Sequence, residues 1–240
     1  MSCLLCIDTT TDLCSVTLSE NLNILHHIYV KDKNVHSALL SVFVNECLEK
    51  SSLDVKDIKA VAVNAGPGSF TGLRIGVAFA KGFCYGSNIP LIGINSLHAL
   101  ANQIKSLCRE GDAILPLIDA YNNETYYSLY DTNMNQLIDF ECGIPEPELL
   151  AKKSGKNSFV SAGSGLRNLS ASLLNDHRLR INKDIVTDSR HLIPFVIDRI
   201  KEGRYEDILH FEPYYLRDFK ARNLSVRIKN VLNAPSNKKF

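Results

Sequence analysis

The chain of 240 residues has no tryptophan and only two methionines. It has no apolar run near the ~18 residues that a membrane-spanning helix requires. Its apolar start, Cys3–Ile7, is cut off by Asp8, too early for the apolar stretch of a secretory signal. Charge of neither sign dominates, since 27 basic residues face 26 acidic ones, and this argues against a chain that is basic throughout. His-Glu-x-x-His is absent, and no Lys-Ser or Lys-Thr pair follows the glycines of the Gly66–Gly76 run, which excludes a zincin and a P-loop. Ser69 is no nucleophile elbow, because position 67 is Pro.

What is present points to a packed α/β protein. A hydrophobic content of 45% over this length suffices for one large domain or two small ones. Seven cysteines, an odd number scattered through apolar segments, suit a reduced, cytoplasmic setting. Cys3 and Cys6 fall in one predicted strand, where residues three apart face opposite ways, so they read as structural thiols.

The pattern repeats. The first half predicts strands at Cys3–Asp8, Leu13–Ser19 and Asn23–Val30, a helix at Val35–Lys50, a strand at Lys59–Asn64 and a helix at Thr71–Tyr85. The second half predicts strands at Ile114–Asp119, Thr125–Asp131 and Gln136–Cys142, a helix near Glu146–Lys153, a strand at Phe159–Ala162 and a helix near Leu166–Leu174. Three strands, helix, strand, helix is a ribonuclease-H-like unit, and two in tandem give the actin-like ATPase (ASKHA) fold. The expected division is 1–102, 103–216 and a basic tail, 217–240. Asp8 and Asp119 end the first strand of each unit, the edge that faces the ligand crevice in open α/β sheets.

Asn64 to Gly76 reads as a strand running into a tight Gly66-Pro67-Gly68-Ser69 turn and then a helix. Such a turn presents backbone N–H groups to an anion, or it is a sharp turn with no ligand. Asp8, Thr9, Thr10, Gly66, Gly68 and Ser69 are therefore the candidate nucleotide or anion contacts. Kinases of the actin-like fold carry Gly where Thr10 stands, and a branched side chain crowds a phosphate. Asp8 and the threonines equally serve to cap the strand-to-strand turn.

Ile7-Asp8-Thr9-Thr10, His36-Ser37, the Gly66–Gly76 run, Ala80-Lys81-Gly82 and Ile89-Pro90-Leu91-Ile92-Gly93 together resemble the TsaB family (also called YeaZ), a branch of the larger family that includes TsaD and Kae1. Ile118-Asp119-Ala120, Gly163-Ser164-Gly165 and Glu212–Arg217 extend the resemblance more loosely. The resemblance implies a non-catalytic subunit that binds and activates TsaD. TsaD transfers threonylcarbamoyl to N6 of the adenosine beside the anticodon of tRNA, with TsaE joining and ATP used by the complex. It implies no cofactor on this chain alone, tRNA met through the complex, and a homodimer as a further option for the lone chain. TsaD carries a His-x-x-x-His pair at positions that fall here on Ser96 and Leu100, so no metal site is expected; His98 lies between them without a partner. His26 and His27 are adjacent on a strand and face opposite ways. His36 matches a histidine common to both branches, reaching across the crevice or holding the first helix.

On the first helix Val35, Ala38, Leu39 and Val42 form one apolar stripe, and Leu40, Val44, Cys47 and Leu48 form another, with Phe43 between them. Two stripes mean burial on two sides. The reading places the partner against Leu40, Phe43, Val44 and Cys47, and against Gly72, Gly76, Ala80 and Phe83 of the second helix; the competing reading covers both helices with the chain's own later residues. Two other functions from this superfamily compete: a metal-dependent protease and a small-molecule kinase of the actin-like fold.

Overall fold

The computed structural model describes residues 3–32 and 34–216; the expectations for the 217–240 tail lie outside the described residues. The first unit contains β1 (Cys3–Asp8), β2 (Leu13–Glu20), β3 (Asn23–Lys31), α1 (His36–Lys50), β4 (Ile58–Gly66), α2 (Phe70–Ser87) and β5 (Leu91–Asn95). After α3 (Ser96–Lys105) the second unit repeats the order with β6 (Ala113–Asp119), β7 (Thr125–Asp131), β8 (Gln136–Gly143), α4 (Pro147–Ser154), β9 (Phe159–Ala162), α5 (Ala171–Leu174) and β10 (Leu179–Asn182). α6 (Ile193–Lys201) follows. The strand orders are β3-β2-β1-β4-β5 and β10-β9-β6-β7-β8, the same topology written in opposite directions. β2 runs antiparallel to β1 and β4 parallel to it, as β7 and β9 do about β6. This is the α/β, actin-like architecture that the sequence predicts.

β1 is buried along its whole length because helices cover both of its faces, so it reads as a continuous apolar run. Alternation sorts its residues. Cys3, Leu5 and Ile7 join the core under α1 and α2, whereas Leu4 and Cys6 join the core under α6. Burial alone pushes the Cys6 thiol up to about 12, burial first and then the nearby Glu20 raise that of Cys3, and both are free thiols packed in the core.

The helices that the sequence pattern leaves unassigned lock the two units together. α3 runs without a break through position 102, and its Leu97, Leu100, Ala101 and Ile104 pack with Ile114, Ile118 and Val160 of the second sheet. Conversely, Leu192, Ile193 and Val196 pack on Leu4, Ala60 and Ile92 of the first sheet. Residues 205–216 then cross α2 as a strap. Glu206 donates its backbone N–H to the Leu91 carbonyl at 2.9 Å, Lys81 Nζ donates to the Phe211 carbonyl at 2.8 Å, and Tyr214 N–H donates to the Ala65 carbonyl at 2.8 Å.

The expected partner stripe on α1 is turned the wrong way. Leu40, Phe43, Val44 and Cys47 are buried against the sheet, where they cover Cys14, Val16 and Leu18. A helical wheel finds two stripes but does not say which one meets the sheet. The second-helix assignment fails for a related reason. A Cβ on Gly72 would lie 2.0 Å from the Thr9 carbonyl oxygen, and one on Gly76 would lie 2.3 Å from Thr9 Oγ1, so these glycines admit the β1–β2 turn and not another helix. Ala80 is fully buried, and Phe83 packs partly buried on the same core. The outward face consists instead of Ala38 and Val42 on α1 with Ala78, Gly82, Tyr85 and Gly86 on α2. Val42 is 51% exposed and Tyr85 73%, and a Cβ at Gly82 or Gly86 would meet nothing within 4 Å.

Candidate functional site

Asp8 ends β1 and is sealed from water. Its Oδ1 accepts the Thr10 N–H at 2.9 Å and the Thr10 hydroxyl at 2.7 Å, and its Oδ2 accepts the Asn64 amide at 2.8 Å. Ser96 in turn donates its hydroxyl to Asn64 Oδ1. Burial pushes the Asp8 carboxyl up to about 6 against the pull of these hydrogen bonds. All three lone-pair contacts come from the protein, so this carboxylate presents nothing to the crevice.

The structure brings the six candidate contacts together and fills the space around them with the chain's own atoms. Ser69 N–H donates to the Thr10 carbonyl at 2.7 Å, and the Ser69 hydroxyl caps α2 by accepting from Gly72 N–H. The Thr9 hydroxyl donates to the Gly72 carbonyl at 2.7 Å. Gly68 is a glycine because a Cβ there would stand 2.5 Å from the Thr10 carbonyl oxygen. At Gly66, with φ +114°, the space is taken by the Tyr214 carbonyl and the Leu73 side chain. The α2 N-terminus that an anion would seek is thus occupied by the chain's own Thr9-Thr10 turn.

The second unit repeats the device with different side chains. Asp119 ends β6, and its Oδ1 accepts the Tyr121 N–H at 3.1 Å and the Asn168 amide, while Oδ2 takes the Arg167 guanidinium. Gly163, just after β9, has the same φ of +114° as Gly66, the last residue of β4. Sequence reasoning placed Asp119 but missed Arg167, which has no counterpart in the first unit and carries no local motif.

Ser96 and Leu100 are both fully buried in α3, and neither side chain is a metal ligand of the histidine kind. His98 stacks edge-on with Tyr130 and Phe195, and burial pulls its pKa down. His36 Nε2 stands 3.0 Å from the Thr11 carbonyl and tethers α1 to the β1–β2 turn. His26 faces Glu46 of α1, and His27 faces Asp188 from the other side of β3. Thr17, His27 and Asp188 line up in the order of a hydrolytic triad, with contacts of 2.9 and 3.5 Å. Thr17 is completely buried and shares its hydroxyl with Ser189 at 2.7 Å, so no substrate reaches it. Burial pushes the Asp188 carboxyl up, but hydrogen bonds from His27 and Arg190 outweigh it and hold the group well below the carboxylate range. This cluster fastens the 187–191 segment to β2 and β3.

Comparison with known proteins places these features in a family. The sequence model described as TsaD, tRNA N6-adenosine threonylcarbamoyltransferase, matches residues 24–143. The tRNA threonylcarbamoyladenosine biosynthesis protein TsaB of Escherichia coli K12 is 29% identical over 227 residues, covering 90% of this chain and 94% of that protein. The Haemophilus influenzae protein of the same name is 35% identical over 125 residues, 52% of each chain. YeaZ from Pseudomonas aeruginosa superposes with a TM-score of 0.73 at 22% identity, covering 90% of this chain and all of that one.

Proposed function

The chain belongs to the TsaB (YeaZ) family and takes part in tRNA threonylcarbamoyladenosine biosynthesis, and from that premise we propose that it does so as a non-catalytic subunit that binds and activates TsaD. The observation that carries the proposal is the uncovered face of α1 and α2. Ala38, Val42, Ala78, Gly82, Tyr85 and Gly86 make a surface of small side chains around a few larger apolar ones, on two adjacent helices. Small residues let helices approach closely, and an exposed apolar patch of this kind marks an interaction site. The buried Asp8, the self-filled glycine turn and the Ser96 and Leu100 positions support a role without bond-making at this chain. In the complex it would contribute differential binding that favours the competent state of TsaD. TsaE would join the pair, the complex would use ATP, and tRNA would be met through the complex. The sealed Thr17 speaks against reading the Thr17-His27-Asp188 alignment as a protease.

The test is association with TsaD. Val42→Glu and Gly82→Glu each place a carboxylate at the centre of the outer face. Burying it unpaired costs about 2 kcal/mol or more, roughly a thirtyfold loss of affinity. Monomer stability should hold in both variants, since Glu is a better helix former than Gly and Val42 touches water. Undiminished TsaD binding by both folded variants would overturn this surface assignment.

A further inference from the structure

Between the two sheets, at the ends of β1 and β6, lies a crevice of about 200 Å³. That lies below the roughly 300–1,000 Å³ of sites for drug-sized ligands and suits a small molecule. The glycine turn of the first unit is filled by Thr9 and Thr10, and that of the second packs on Leu100, Leu117 and Thr125, so the crevice lies beside turns closed by the chain itself.

Its hydrogen-bonding inventory is lopsided. Asp119 has committed both oxygens to Tyr121 N–H, Asn168 and Arg167. Asp12 is 38% exposed, and its nearest cation among the described residues, Arg167 Nη1, stands 3.9 Å away, beyond hydrogen-bonding distance. Arg167 is 54% exposed and keeps donors free of Asp119. Lys31 lines the crevice with no ion-pair partner among the described residues. Ser164 Oγ accepts from the Asp119 N–H, which leaves its hydroxyl proton to give. The crevice wall therefore offers two cations, Lys31 and Arg167, and the hydroxyls of Ser164, Thr11 and Tyr121, and among the described residues Asp12 is its carboxylate without a hydrogen bond from the protein.

The backbone adds an independent sign. Tyr121, Asn122 and Asn123 take φ of +61°, +54° and +62°, three left-handed residues in a row. A bulky side chain rarely adopts this conformation, and such strain gathers at ligand sites. The turn sets Tyr121 on the crevice wall.

We infer that this crevice binds a small carboxylate bearing an adjacent amino or hydroxyl group, an amino or hydroxy acid. Its carboxylate meets Lys31 and Arg167, and the neighbouring donor meets Asp12. The inference does not depend on the TsaD reading, since the crevice lies away from the α1–α2 face.

Titration calorimetry on the full chain tests it with serine, lactate, acetate, inorganic phosphate and ADP as probes. Serine or lactate should bind saturably and at least about tenfold more tightly than acetate. Lys31→Ala should weaken every carboxylate about tenfold, and Lys31 is exposed, so the fold should be unaffected; a thermal melt checks this. Asp12→Ala, which removes the acceptor, should abolish the preference over acetate while leaving acetate binding intact. No saturable carboxylate binding up to about 10 mM would overturn the inference. So would tighter binding of phosphate or ADP, or an affinity that Lys31→Ala leaves unchanged.

Discussion

Asp8 carries a charge in a place with no water, and its consequences are readable in solution. Its folded value of about 6 lies above the ordinary 3.8, so the folded chain holds this proton more tightly than the unfolded one. The stability Asp8 gives is complete below about pH 4 and is lost as pH rises through about 6, a change of roughly 3 kcal/mol. Asp188 works in the opposite sense: its lowered value makes stability fade as pH falls. A comparison of two proteins isolates the first effect from the second. Asp8→Asn keeps the acceptor for Thr10, and the Asn64 amide can turn over to accept from the new NH₂. Urea unfolding at a series of pH values should show the variant gaining on the parent between about pH 4 and pH 7. Parallel stability curves would show that Asp8 is not the buried anion described.

At the scale of elements, one helix carries both the core and the surface, and neighbouring positions should respond oppositely. Leu40 is 1% exposed and faces β2, so Leu40→Glu buries an unpaired charge and should cost about 4 kcal/mol or more, enough to lose the fold. Val42→Glu, two residues on, should melt within a few degrees of the parent protein. Circular dichroism melts of the two variants decide the matter, and equal melting temperatures would reverse the orientation of α1. The sequence made α1 legible as a helix but not its facing, because both stripes are apolar and Leu40 and Val42 are equally hydrophobic. The strands of the repeated pattern, β1–β4 and β6–β9, were legible to within about two residues, since β1 and β6 are continuous apolar runs between polar turns. β10 and α6 were not, because Leu179–Asn182 is short and α6 packs on a sheet more than a hundred residues earlier in the chain. The Asp8 turn was legible as a turn. Its sealing was not, since that depends on Asn64 and Ser69 arriving from other elements.

For the whole molecule, the exchange of α3 and α6 between sheets means that neither unit completes its own core. A fragment of residues 1–107 would expose Leu4, Ala60 and Ile92 where Leu192, Ile193 and Val196 belong, and should be recovered unfolded or aggregated. A soluble fragment with a cooperative melt would contradict this. Charge is divided along the chain as unevenly as the cores are intertwined. Residues 217–240 hold seven basic residues and one acid, a net +6, which leaves −5 for the rest of a chain whose total is +1. A segment so basic beside an acidic body is suited to phosphate contacts that position a nucleic acid without reading its sequence. If the chain meets tRNA through a complex with TsaD, deleting Ser225–Phe240 removes Arg227, Lys229, Lys238 and Lys239 while sparing the α1–α2 face. TsaD pairing should be unchanged, and tRNA affinity should fall with a log–log salt slope shallower by up to about 3 to 4, four cations at about 0.7–0.9 each. Filter binding of tRNA by the full and truncated complexes across a salt series measures both quantities. Equal affinity and equal slope would mean that these cations face only solvent.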